Sequence, residues 1–446
     1  MQIKPSMGKY TVYASDYCTL DSNVIHGGGT DDTAALQAIL DMAPIWGSLH
    51  LIMDGAALVT GLAIHSNTTI ECPTHNCGFY MADGADDSIL HNVHYTLDQI
   101  QDENITIKGG TYNHNGQHQA MELTEEKKRG TGHLFGTGVV VPLNFFGVRN
   151  FRIENIVIHN QRRYALFMAN WEDVTITGVD MPLWELVDHT NQDGLHFYGP
   201  GKNLTIRDCR GRSGDDFIAI NTDEGDRHCS ISNVLIENLQ IDAYQGVRLL
   251  CRERGTLENV IIRNITGKVS AYGFYMNPWY WDTYVSPDFE GTSGTFRNIL
   301  IENIILKQEN SPYDYNTPLL FCLGGNIENI AIRNVSIEPE SPDYRVLAVR
   351  EGHGYLSHVQ GYGISPTRVD DLLVDGLYIT DGGKGNSEKH WIEVEGDTIV
   401  MRMKLNNVTA LSATESEALI HVDTGAKIEE FSSNSIHLEG FQKLMK

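Results

Sequence analysis

Ten times between Ile105 and Val408 the chain repeats one short pattern, apolar-x-apolar-x-(Asn/Asp/Gly)-apolar, and nothing else in the sequence limits the fold as strongly. The copies are ITIKGG from Ile105, FRIENI from Phe151, VTITGV from Val174, LTIRDC from Leu204, VLIENL from Val234, VIIRNI from Val260, ILIENI from Ile299, IAIRNV from Ile330, LLVDGL from Leu372 and MKLNNV from Met403. Their apolar positions alternate, which is the period of a strand and not of a helix. Successive starts lie as close as 23 residues (Phe151 to Val174) and as far apart as 46 (Ile105 to Phe151), the spacing of one structural repeat without and with an insertion. A unit this small cannot bury its own apolar face, so neighbours must stack and share a core. No helix of repeat length separates the strands. The expected fold is therefore all-β, a single-stranded right-handed parallel β-helix.

A solenoid also reconciles the length with one core, because 446 residues exceed what a single compact core accommodates unless it extends lengthwise. We expect one domain over residues 1–446, with a cap region to about residue 60, coils over about 61–420 and a C-terminal cap over about 421–446. The open ends of a stack expose unpaired strand edges that need covering. Thr30-Asp31-Asp32-Thr33 offers capping oxygens, and Ala34, Ala35, Leu36, Ala38, Ile39 and Leu40 follow as a mostly apolar helix ending near Pro44. Asn155, Asn238, Asn264, Asn303 and Asn334 recur at one position of the motif. Asn tolerates the unusual backbone angles of a bend and bonds to local amides, so these residues are read as structural.

Charge narrows the partners. With 33 Lys plus Arg against 58 Asp plus Glu the net charge is -25, which repels phosphate backbones, so nucleic acid is not an expected partner. A strongly anionic polysaccharide would need a local basic patch. No window approaches 18 consecutive apolar residues, and MQIKPSMGKYTVYASDY lacks the basic-then-apolar pattern of a secretory signal. No membrane association is expected, and the compartment read from the chain as given is the cytoplasm, or the exterior if an export segment has been trimmed away. Seven cysteines form no CxxC pair and no zinc spacing, and their odd number leaves at least one outside any disulfide. A reducing compartment is the simpler reading, although Cys72 and Cys77 are close enough to close a small loop; Cys209 occupies an apolar repeat position as a small core residue. No cofactor and no metal are expected, and the oligomeric state is not legible.

Downstream of each repeat lies a second strand. Aligning these strands puts Tyr164–Met168, Asp193–Phe197, Asp216–Ile220, Gln245–Leu249 and Tyr272–Met276 in register on adjacent coils. Neighbouring parallel strands lie about 4.8 Å apart, so Asp193 and Asp216 should stack, with Asp215 beside them. Like-charge repulsion among three such carboxylates favours keeping one protonated. An acid beside a base is what glycosidic hydrolysis needs: a proton for the leaving oxygen and a carboxylate to activate water. A purely structural reading remains, since Asp beside Gly is common in turns and a stacked Asp ladder can bind turn amides or calcium.

Two stretches carry a family resemblance. GGGTDDTAALQAIL is similar to the opening of the pectate-lyase-like superfamily of β-helices, where such a helix plugs the first coil; it bears on fold alone, because hydrolases, lyases, epimerases and phage tail spikes share it. NQDGLHF from Asn191 and SGDDFIAIN from Ser213 resemble the NTD and (G/Q)DD motifs of polygalacturonases, glycoside hydrolase family 28. The resemblance implies that Asp215 is the general acid, that Asp193 and Asp216 position and activate water, and that the anomeric carbon inverts. Two family motifs are absent: Gln245 stands where the family has the His of GHG, and YGFYMN stands where it has RIK. Arg248 resembles the Arg of RIK displaced by one coil and is a candidate substrate contact, but the Lys has no counterpart. Without the clamp, and at a charge of -25, a different or less charged pectin-like glycan is favoured over galacturonan.

Further candidates for substrate contact follow from position. Asn191 opens the first Asp motif. His196 should point outward on the face of Arg248 and Tyr275 as part of a groove wall. Arg163, with Arg162 and His159 nearby, is a candidate for one end of the cleft, where ordinary surface charge explains it nearly as well. Trp279 and Trp281, with Tyr280 and Tyr284, suit stacking on sugar rings, or else pack their own loop. Asp223 and Glu224 follow the Asp pair in a turn, and Glu224 is a reserve acid. The rival functions are a polysaccharide lyase, which needs calcium and a Lys or Arg base, and a non-catalytic glycan-binding spike.

Overall fold

The computed structural model describes residues 4–6, 9–95, 99–128, 138–182, 191–222, 229–252, 254–278, 293–310, 318–340, 344–350, 352–353, 364–381 and 391–446. The chain forms two compact units, 1–215 and 216–446, and the division falls inside the strand Arg210–Asn221. Within each, nearly all strand pairing is parallel, as a right-handed β-helix requires.

In the first unit the repeats align in the register expected from their motifs: Ile105 pairs with Phe151, Phe151 with Val174, and Val174 with Leu204. In the second, Val234, Val260, Ile299, Ile330, Leu372 and Met403 form one continuous row. All ten are buried. Each such side chain contributes roughly 1.5–3 kcal/mol by leaving water, and a slip of one residue would turn the whole row outward, which is why one register wins.

The N-terminal helix is Thr33–Leu40, with Leu36, Ile39 and Leu40 buried. It packs on the strands Leu49–Ile52, Ala56–Val59 and Leu62–Ile64, and Gln37 seals the last of these. Its Oε1 accepts from the Ala63 amide at 2.8 Å and its Nε2 donates to the Ala63 carbonyl at 3.1 Å, so backbone groups that would face solvent at a strand edge are satisfied. Two details differ from expectation. The helix ends at Leu40, and Pro44 belongs to a separate short helix, Ala43–Trp46, in whose first turn its missing N–H costs nothing. Asp32 occupies the cap position without capping; its carboxylate accepts instead from the Thr19 and Leu20 amides, while Asp31 accepts from the Thr33 amide.

The recurrent Asn residues sit at bends with left-handed backbones, φ 57° at Asn238 and Asn264, 58° at Asn303 and 51° at Asn334. Their side chains bond along the stack: Asn264 donates to Asn238 at 2.9 Å, Asn303 to Asn264 at 3.0 Å and Asn334 to Asn303 at 3.1 Å. Replacing Asn264 by Ala removes two rungs and places a poorly suited residue at positive φ. A loss of about 2–3 kcal/mol in denaturant unfolding is expected, from two hydrogen bonds of about 1 kcal/mol each plus the backbone term.

No disulfide joins Cys72 and Cys77, both buried. Cys209 is a core residue whose thiol is pushed up to about 12 by burial.

Some strands are buried on both faces. In the first unit Phe146, Phe167, Ala169 and Tyr198, which point away from the coil interior, cluster with Tyr164, Val139 and Val141. In the second, Tyr272, Tyr275 and Cys322 form a similar outer layer with Tyr244, Ala271, Leu319 and Ala348.

Candidate active site

Asp193 lies just before the strand Leu195–Arg207 and Asp215 within Arg210–Asn221, followed directly by Asp216. One carboxylate oxygen from each of the three lies within 4.8 Å of one from each of the others. No other group of three or more His, Cys, Asp or Glu side chains converges as closely among the described residues. Asp193 is 1% exposed and Asp216 2%, while Asp215 is partly exposed. Asp215 is thus the one that reaches solvent.

Each acid is held differently. Asp193 Oδ2 is 2.7 Å from His196 Nδ1, and its carbonyl accepts from the Ala165 amide at 3.0 Å and from Gln161 Nε2 at 3.4 Å. Its Oδ1 is buried without a hydrogen-bond donor among the described residues. Asp215 Oδ2 accepts from the Asn191 amide at 3.1 Å. Asp216 Oδ2 is 3.0 Å from Arg248 Nε, in an ion pair whose Arg side chain is 16% exposed. Asn191 has φ 57°, which turns its amide toward Asp215, and its Oδ1 accepts from Arg163 Nη1 at 2.8 Å. Arg163 therefore reaches the carboxylates through Asn191 and is itself buried.

Several expected placements need correction. His196 is not an exposed groove wall: it is 1% exposed, stacked on Tyr164 with ring centroids 4.2 Å apart and planes at 20°, because the outer layer of Tyr164 and Phe167 covers it. Tyr275 is beside Arg248 in register, as expected, but is 5% exposed, stacked on Tyr272 and bonded to Asn277. Arg248 has its Nε 3.0 Å from Asp216 Oδ2, which places it at the acid cluster. His159 is also buried, which holds its imidazole toward the neutral form. Trp279, Trp281, Tyr280, Tyr284, Asp223 and Glu224 lie outside the described residues. Tyr164 and Gln161 join the site without any motif that marks them in the sequence; the one signal is that strand alignment puts Tyr164 on the coil level of Asp193.

Residues 87–354 match the model of glycosyl hydrolases family 28. The chain belongs to that family. An exopolygalacturonase of Arabidopsis thaliana (clone GBGA483) is 23% identical over 210 residues, 44% of this chain and 42% of the relative, so the match spans less than half of that protein's length. The family 28 exopolygalacturonase of Yersinia enterocolitica superposes with a TM-score of 0.57 at 13% identity, covering 99% of this chain and 78% of that one. The N-terminal fragment of bacteriophage phi29 gene product 12 superposes with a TM-score of 0.61 at 15% identity, covering 97% and 71%. The last two likenesses establish the β-helix and leave the chemistry to the site.

Proposed function

We propose that this family 28 protein hydrolyses glycosidic bonds in a pectin-like poly- or oligosaccharide, with Asp215 as general acid and Asp193 and Asp216 activating water. The convergence of the three carboxylates within 4.8 Å carries the reading. Grouping three acids in a poorly solvated place is costly, and such arrangements concentrate at functional sites. The differing surroundings support the division of labour. Asp216 lies 3.0 Å from the Arg248 guanidinium and Asp193 beside the His196 imidazole, both buried, whereas Asp215 reaches solvent, where a leaving sugar can take its proton.

Asn191 and Arg163 are assigned to supporting Asp215 at the substrate side, and Trp279 and Trp281 keep their proposed role as stacking surfaces for sugar rings. The engagement of Arg248 with Asp216 supports a substrate whose cleaved unit is not gripped through a uronate carboxylate. Methyl-esterified or neutral pectic chains should then be cut faster than fully de-esterified galacturonan. The activity of the Arabidopsis relative is the counterweight, and a panel of both polymers decides between them.

Stereochemistry is the second test. The family resemblance implies inversion, in which an activated water and not a carboxylate attacks the anomeric carbon. Proton NMR of the first-formed product should show the inverted anomer; the retained anomer would reassign one Asp as nucleophile. An unsaturated, ultraviolet-absorbing product would instead establish a lyase.

A further inference from the structure

Asp193 is anchored twice over. The coil fixes its backbone, through the Ala165 amide and Gln161 Nε2 on its carbonyl oxygen. Neither contact restrains the rotation of the carboxylate. The side chain is held by His196, whose Nδ1 is 2.7 Å from Oδ2. Within a straight strand, residues three apart face opposite sides, so this contact needs the bend at Gly194, before the strand begins at Leu195. With Asp193 acting as the carboxylate of the proposed mechanism, which only accepts, the contact needs the imidazole proton on Nδ1.

The His is itself locked. Tyr164 stacks on it at 4.2 Å and Phe167 tilts against it at 5.6 Å, and both are buried. Tyr164 sits one coil earlier, at the level of Asp193: Phe167 pairs with His196, which puts Tyr164 opposite Asp193. One aromatic shelf therefore fixes the imidazole plane, and the imidazole fixes the carboxylate plane.

We infer that His196 is a positioning residue of this site: its Nδ1–H sets the rotation of the Asp193 carboxylate, aiming Oδ1 for the water that attacks the sugar. The inference rests on the proposed hydrolysis and adds a residue that touches no substrate. Rigidly held bases matter because displacing a reacting group by about 1 Å costs on the order of 10²-fold in rate.

The test uses the full chain on methyl-esterified and de-esterified pectin. His196→Phe keeps an aromatic ring for Tyr164 but has no donor. His196→Asn loses the ring but offers Nδ2–H at the place of Nδ1–H. The inference expects His196→Phe to lower kcat by about 10²-fold with KM within about twofold, and His196→Asn to recover at least about tenfold of that loss, although its packing is worse. A purely structural role predicts the reverse order, with the Asn variant worse in both thermal unfolding and kcat, and that result overturns the inference. Wild-type kcat in a folded Phe variant also overturns it. If the Phe variant does not fold, the Asn variant alone decides: kcat within about tenfold of wild type supports the inference, and kcat as low as that of Asp193→Asn refutes it. Asp193→Asn separates the two levels. An inactive Asp193→Asn beside an active His196→Phe rejects only the positioning role, whereas a fully active Asp193→Asn rejects the proposed mechanism and this inference with it.

Discussion

Replacing Asp215 by Asn should leave the protein folded and lower kcat on a pectic polymer by about 10²- to 10⁴-fold, the usual worth of a positioned general acid. The fold should survive because an Asn oxygen can still accept from the Asn191 amide, and because the backbone carbonyl at this position keeps the Ser213 hydroxyl as a donor. KM should change little, since an acid that acts in the transition state contributes little to ground-state binding. The assignment can be separated from that of the other two acids by leaving-group dependence. A substrate whose leaving group departs without a proton, such as a nitrophenyl glycoside, should be far less impaired by Asp215→Asn than a polysaccharide is. The Asn variants of Asp193 and Asp216, which would lose water activation, should be impaired on both. Equal losses across all three variants and both substrates would contradict Asp215 as the acid.

Most of the fold was legible because burial dictates it. A row such as Val234, Val260, Ile299 and Ile330 can satisfy its apolar side chains in one register only, so the motif spacing translated directly into strand pairing. The Asn positions were legible for a different reason, the tolerance of Asn for positive φ, but the direction of their hydrogen bonds was not, because it depends on the neighbouring coil. The Asp cluster was legible from strand stacking. The surroundings of the cluster were not, and His196 and Tyr275 show why. Alternation puts both on an outward face, but an outward side chain is not exposed where a second layer covers the strand. The runs YALFMANW from Tyr164 and YGFYM from Tyr272 are apolar at nearly every position, the mark of strands covered on both faces, and that signal was available. What covers them comes from elsewhere in the chain: Val139 and Val141 in one unit, Tyr244 and Leu319 in the other. The pairing of Arg248 with Asp216 was hidden by the family comparison, which assigned the Arg to substrate.

That pair leads to the second large effect, on stability. Arg248→Met keeps most of the apolar stem and removes the guanidinium 3.0 Å from a carboxylate that is only 2% exposed. Removing one partner of a buried ion pair costs roughly 3–5 kcal/mol, because the remaining charge keeps its desolvation penalty and loses its compensation. Denaturant unfolding near neutral pH should register that loss. Adding Asp216→Asn to Arg248→Met should return part of the stability by removing the stranded charge, while activity stays low because the double variant lacks the Asp216 carboxylate. A double-mutant cycle then gives the coupling directly. If Arg248→Met leaves the unfolding midpoint unchanged at neutral pH, the Arg248–Asp216 pair contributes nothing net to stability and the buried-pair account of it fails.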